Sequence, residues 1–141
     1  MIRPTVLLFC AILLAAPAAA EELVVQVTGA AGTTGKIVVS LWNAPKGFAS
    51  FDRSKALTSR SAAVASGGAV VRFEELVPGR YAVAAFHDAD GDGKLKTNFI
   101  GIPRESVGTS GKAGGMPSFE KSAIAVPGGP VSIALRSLGG S

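Results

Sequence analysis

Asp88, Asp90 and Asp92 stand at alternate positions of the stretch FHDADGDGKL, and Gly93 follows the last of them. Carboxylates spaced in this way begin an oxygen cage for a hard cation. Calcium takes six to eight oxygens at about 2.3–2.6 Å. In DxDxDG loops the first, third and fifth positions supply carboxylates, the sixth is a glycine that makes the sharp turn, and the seventh adds a backbone carbonyl. Those places fall here on Asp88, Asp90, Asp92, Gly93 and Lys94. The rest of an EF-hand is missing. Its twelfth position should be a bidentate glutamate and is Phe99, and the preceding run RYAVAAFH reads as a strand, not a helix. One reading is a strand-anchored relative of that loop, with Ca2+ as its ion. An oxygen from farther along would close it, Glu105 first and the Asn98 amide second. The competing reading is a plain acidic turn: Asp-Gly pairs are ordinary turn formers, and Lys94 and Lys96 can offset the carboxylates without a metal. Magnesium fits less well because it demands a stricter octahedron and keeps its waters. Zinc is disfavoured, since His87 is the only histidine and Cys10 the only cysteine.

Two other constellations carry chemistry on paper. His87 beside Asp88 suggests a small hydrolase or ligand-processing enzyme, helped by the Arg104–Glu105 segment. Adjacent strand residues point to opposite faces, however, and nothing places a serine nucleophile within reach of the imidazole. His87 then reads as a strand-end residue bonded to backbone. Trp42 and Phe48 would line a glycan-binding face if exposed, although core packing is the simpler use of those rings.

The elements that must position the loop read as strands. Short apolar runs separated by Gly, Pro, Asn and Asp, with no long 3.6-residue pattern, argue for an all-β domain. Leu23 to Thr28 and Lys36 to Trp42 alternate as strands. SFDRSKAL reads as a helical turn or two. Ser61–Ser66 reads as a third strand, turned by Gly67-Gly68 into Ala69–Glu74, with Val71 and Phe73 pointing inward. LVPGR is a tight connection into Tyr81–His87, whose two apolar faces mark a central, covered strand. A long glycine-rich excursion, Asp88 to Ser118, exceeds ordinary connection lengths; within it Phe99, Ile100 and Ile102 are expected to fold back on the sheet. Glu120–Val126 and Val131–Arg136 read as a closing pair joined by PGGP, and SLGGS as a frayed tail. About seven such strands fit an antiparallel β-sandwich, with an antiparallel barrel as the alternative.

The first twenty residues are set apart. Arg3, the apolar run Thr5–Ala16 and Ala18-Ala19-Ala20 match a secretory signal peptide cleaved near Ala20, too short to span a membrane. Phe9 before Cys10 argues against a lipid-modified cysteine. One domain, residues 21–141, remains, without cysteine and hence without disulfides. Net charge is +4 over the whole chain and dispersed, so nucleic acid is not an expected partner. No second apolar run reaches membrane length, and membrane insertion of residues 21–141 is not expected. A periplasmic or secreted location follows.

The residues also resemble a known family. FHDADGDGKL, then NFIGIPRESVG, then GGMPSFEKSAIAV are similar to a widespread family of small secreted bacterial proteins of unknown function, over residues 35–135. The family pattern of aspartate, two asparagine or aspartate positions and GKL matches at Asp88, Asp90, Asp92 and Gly93–Leu95. Its GIPxE and PSF elements match at Gly101–Glu105 and Pro117–Phe119. The chain departs at Lys96, where the family often carries an acidic residue, and at Thr109, where an aromatic is common. The resemblance implies a transthyretin/prealbumin-like sandwich. The combined expectation is an exported, non-enzymatic module that binds or scaffolds a protein or glycan partner in the bacterial envelope or outside the cell.

Overall fold

Leucine and valine at alternate positions from Leu23 to Val27 can bury one side of an extended chain and wet the other. In the computed structural model, which describes residues 20–97, 105–112 and 116–137, they do so. Strand β1 spans Glu21–Thr28, with Leu23, Val25 and Val27 buried. The further strands are β2 (Lys36–Trp42), β3 (Thr58–Ala63), β4 (Ala69–Leu76), β5 (Gly79–Asp88), β6 (Val107–Thr109), β7 (Ile124–Val126) and β8 (Val131–Ala134). A 3-10 turn covers Arg53–Lys55, and a single helical turn, α1, covers Phe119–Ser122.

The strands form two sheets. The smaller has the order β4-β1-β8, and the larger β3-β2-β5-β6, with β7 also paired to β5. All pairs in the larger sheet are antiparallel, and β1 pairs antiparallel with β4. The β1–β8 pair is parallel. The expected all-β sandwich is therefore present, with eight strands among the described residues.

Four details differ from the sequence reading. Ile124–Val126 and Val131–Ala134 do not form a hairpin with each other: β7 joins β5 and β8 joins β1. Alternation assigns a strand its faces but not its neighbour, so PGGP turns the chain from one sheet to the other. The segment read as the start of that pair, Glu120 onward, is the α1 turn, begun by Ser118, whose side chain accepts the Lys121 N–H. The third strand begins at Thr58, three residues before the expected position, because β3 follows the register of β2 from Leu41↔Thr58 to Lys36↔Ala63. And the long excursion is not structureless: Val107–Thr109 pairs with Phe86–Ala84.

Between the sheets lies the main core, built on Val25, Ile37, Val39, Leu41, Phe73, Val83 and Ile133, with their neighbours. Each such side chain gains about 1.5–3 kcal/mol on burial relative to exposure. The opposite face of β2 and β5 is covered as well. Trp42, Phe48, Ala82, Ala84 and Phe119 make a second cluster, and Val38, Phe86 and Val107 a third. This cover explains why β5 is buried from Tyr81 to Asp88. Phe48 stands edge-on to both Trp42 and Phe119 at centroid distances of 5.2 and 6.3 Å, which is a favoured ring geometry. Trp42 and Phe48 are 1% and 0% exposed, so the glycan-binding face expected of exposed rings is not formed.

The outer layer is pinned by Ser110, which is fully buried. Its hydroxyl accepts the Val83 N–H at 2.9 Å and donates to the Ser122 carbonyl at 2.6 Å, tying β5 to α1. Close by, Gly108 admits the smaller sheet: a Cβ there would stand 2.5 Å from the Ile133 Cγ2 and 2.8 Å from the Ala134 carbonyl oxygen.

Candidate cation site at the end of strand β5

The most buried strand of the larger sheet ends on the first aspartate of the loop. Asp88 pairs in register with Lys36 and is 1% exposed. Gly35, one residue earlier on the neighbouring chain, is there for close approach. It has φ +82°, and a Cβ would fall 2.2 Å from the Asp88 carbonyl oxygen. His87, 3% exposed, donates its Nε2–H to the Thr34 carbonyl at 2.8 Å. The backbone-bonded role read for this residue is the one observed, and the hydrogen bonds described for the imidazole include no serine and no carboxylate.

Past Asp88 the chain coils on itself through its own carboxylates. Asp88 Oδ2 accepts the Gly93 N–H at 2.7 Å, Asp90 Oδ1 the Asp92 N–H at 3.3 Å, and Asp92 Oδ1 the Lys94 N–H at 2.8 Å. Aspartate bonds to backbone two residues on are what such turns use. Gly91 and Gly93 take the positive φ values the coil needs, +71° and +76°. From outside, the Arg53 guanidinium donates to the Gly93 carbonyl and lies 5.4 Å from the centre of the Phe86 ring.

Glu105 comes back to this loop. Its Oε2 accepts the Lys96 N–H at 3.3 Å. One carboxylate oxygen each from Asp88, Asp90 and Glu105 lie within 4.8 Å of one another. Oxygens on opposite sides of a single calcium ion stand about 4.6–5.2 Å apart, twice the bond length, so the three could reach one ion with little movement. Asp88 Oδ1 is sealed from solvent and has no hydrogen-bond partner among the described residues. A buried charged oxygen without a partner is costly.

The cluster's electrostatics follow from this crowding. The Lys96 ammonium is paired with Asp90 Oδ2. That pairing, with the Asp92 N–H and the neighbouring Asp88 carboxyl adding to it, holds the Asp90 carboxyl down at about 2. The same contact pushes the Lys96 ammonium up. Glu105 moves the other way: burial raises it most, the Lys96 N–H opposes, and the charges of Asp88, Asp90 and Asp92 raise it further. Three carboxylates thus share one ammonium.

Of the ligands expected from sequence, Asp88, Asp90 and Glu105 converge. Asp92 does not join them, because its carboxylate is turned onto the Lys94 N–H. Lys94 enters the loop's hydrogen bonds through that N–H. Asn98, Phe99, Ile100, Ile102 and most of the GIPRE segment lie outside the described residues, as do the tail and residues 1–19. Sequence reasoning missed Arg53 and Gly35, which touch the loop from positions about forty and fifty residues away and carry no local signal.

Fold and site define a class: a small two-sheet β domain whose central strand runs into an acidic, glycine-turned loop. The chain belongs to the DUF2141 family, described as uncharacterized protein conserved in bacteria, whose model matches residues 25–134. No curated protein and no solved structure matches it.

Proposed function

We propose that this protein is an exported, non-enzymatic β-sandwich module whose Asp88–Gly93 loop holds a structural calcium ion. Asp88, Asp90 and Glu105 would bind the ion directly. Asp92 would shape the loop and supply negative potential. The single observation that supports this most is the orphaned, buried Asp88 Oδ1 inside a knot of three carboxylates. An acidic turn open to water would have no reason to bury a carboxylate oxygen unsatisfied. A bound divalent cation answers both its missing partner and the mutual repulsion.

Export rests on the leader-like first twenty residues. A binding or scaffolding role in the bacterial envelope or outside the cell fits a small, rigid β frame presenting a cation-stiffened loop. The histidine-based hydrolase has less behind it, because His87 is committed to the Thr34 carbonyl.

Calorimetric titration with calcium, paired with melting curves in chelator and in excess calcium, tests the reading. A ligand at 100 times its dissociation constant stabilises by about 2.7 kcal/mol, enough to raise the melting temperature measurably. Asp88→Asn should remove both the heat and the shift. Absence of any calcium heat in the wild type, or an undiminished shift in Asp88→Asn, would sink it.

A further inference from the structure

A second feature lies on the other side of the Gly93 turn. Between the outer face of β2–β3 and the loop is an open recess of about 240 Å3. Lys36, Arg53 and Arg60 supply three positive charges to its lining, and Ser59 and Ser61 supply hydroxyls. Val38 forms part of the lining, and the loop glycines Gly91 and Gly93 make the rim.

The cations of the lining outnumber its carboxylates three to one. The ion pairs among the described residues are Arg72–Glu22, Arg80–Glu120 and Lys96–Asp90, and none of them uses a cation of this recess. Asp88 is the one carboxylate in that lining; its Oδ2 accepts the Gly93 N–H and its Oδ1 is sealed from solvent. Arg53 is held in place twice, by the Gly93 carbonyl and by the Phe86 ring. A guanidinium has five N–H donors, so anchoring it on one carbonyl leaves donors to offer while its side-chain entropy is already spent. Ser59 is fixed as well, its Oγ 2.7 Å from that of Ser40.

From this we infer that the recess binds a tetrahedral oxyanion group, a phosphate or a sulfate, carried free or as the ester of a small sugar. Several cations with hydroxyl donors beside them answer an anionic group that presents three or four oxygens. Arginine meets such oxygens in pairs, and lysine serves as a point charge. The recess shares Asp88, Gly91 and Gly93 with the acidic loop, but its three cations lie outside the carboxylate cluster, so oxyanion binding is tested without calcium.

The test is an NMR titration of the full domain in calcium-free buffer with inorganic phosphate, inorganic sulfate, a sugar phosphate and a sugar sulfate. Saturable shifts should centre on Lys36, Arg53 and Ser59–Ser61. Esters that match the free ions would mark the oxyanion alone as the ligand, and tighter esters would mark a sugar-borne source. Lys36→Gln and Arg60→Gln, both at exposed positions, should each weaken binding about tenfold, with the amide spectrum otherwise unchanged. Arg80→Gln, on another part of the surface, should leave affinity as it was. No saturable shift with any of the four probes would overturn the inference. So would wild-type affinity in both recess variants, or an equal loss in Arg80→Gln, which would show general charge screening.

Discussion

Lys96 is the residue on which the cation site turns. Its ammonium already sits on Asp90, so an incoming ion must displace it or share the carboxylate. Lys96→Gln should therefore tighten calcium a few-fold, the scale an exposed ion pair is worth, and lower the melting temperature measured in chelator. Unchanged calorimetric affinity would remove Lys96 from the account. Glu105 offers a different handle. Its folded-state carboxyl is raised above the ordinary value of 4.5, so the folded chain takes up a proton there before the unfolded chain does. In chelator, stability from this group should rise as pH falls from neutrality toward 4.5 and then level off. Asp90 works in the opposite sense. Its contribution is complete above 3.8 and is lost as pH falls through about 2. Melting curves against pH should show the Glu105 gain in the wild type, and the gain should be absent in Glu105→Gln. A slope that persists in that variant would assign the effect elsewhere.

Among the elements, what the sequence revealed was decided by how much each segment carries its own signal. β1, β2 and β5 were legible because Leu23–Val27, Ile37–Leu41 and Tyr81–Phe86 alternate over long enough runs to bury a face. The turn at Gly67 was legible too, although it carries the chain from β3 in one sheet to β4 in the other. Ser66 and Gly67 both have positive φ, 52° and 76°, and Ala65 and Gly68 exchange backbone hydrogen bonds across it. β6 was not legible, since three residues in a glycine-rich stretch become a strand only because β5 offers them an edge. β7 and β8 were legible as strands, but not their partners, which distant segments of the chain supply. For the site, the spacing of the aspartates and the return of Glu105 were readable, whereas Arg53 arrives through tertiary structure alone. Ser110 belongs to this class of hidden elements, and it gives a test of the outer layer. Ser110→Ala would leave the Val83 N–H and the Ser122 carbonyl without their described side-chain partner, and should cost about 1–3 kcal/mol in urea unfolding. A smaller change would mean that water takes the hydroxyl's place.

At the scale of the whole molecule, β5 is the strand everything else is laid upon. β2 runs along one of its edges, β6 and β7 divide the other, and both of its faces are covered. Amides of Val83–Phe86 should therefore be among the slowest to exchange with deuterium, opening only with global unfolding, while those of Gly91–Lys94 exchange far faster in chelator. Exchange of Val83–Phe86 by local fraying would contradict the central place given to β5.

The parallel seam between β1 and β8 sets the order in which the molecule can close. Val25 meets Val131, and Thr28 meets Ala134, so the opening strand has a vacant flank until almost the entire polypeptide is in hand. A partly synthesised or threaded chain can form the β3–β4 corner, but it cannot shut the smaller sheet. Such a design delays commitment: the barrier to folding includes closing one very large loop, and the chain stays pliable until that late strand docks.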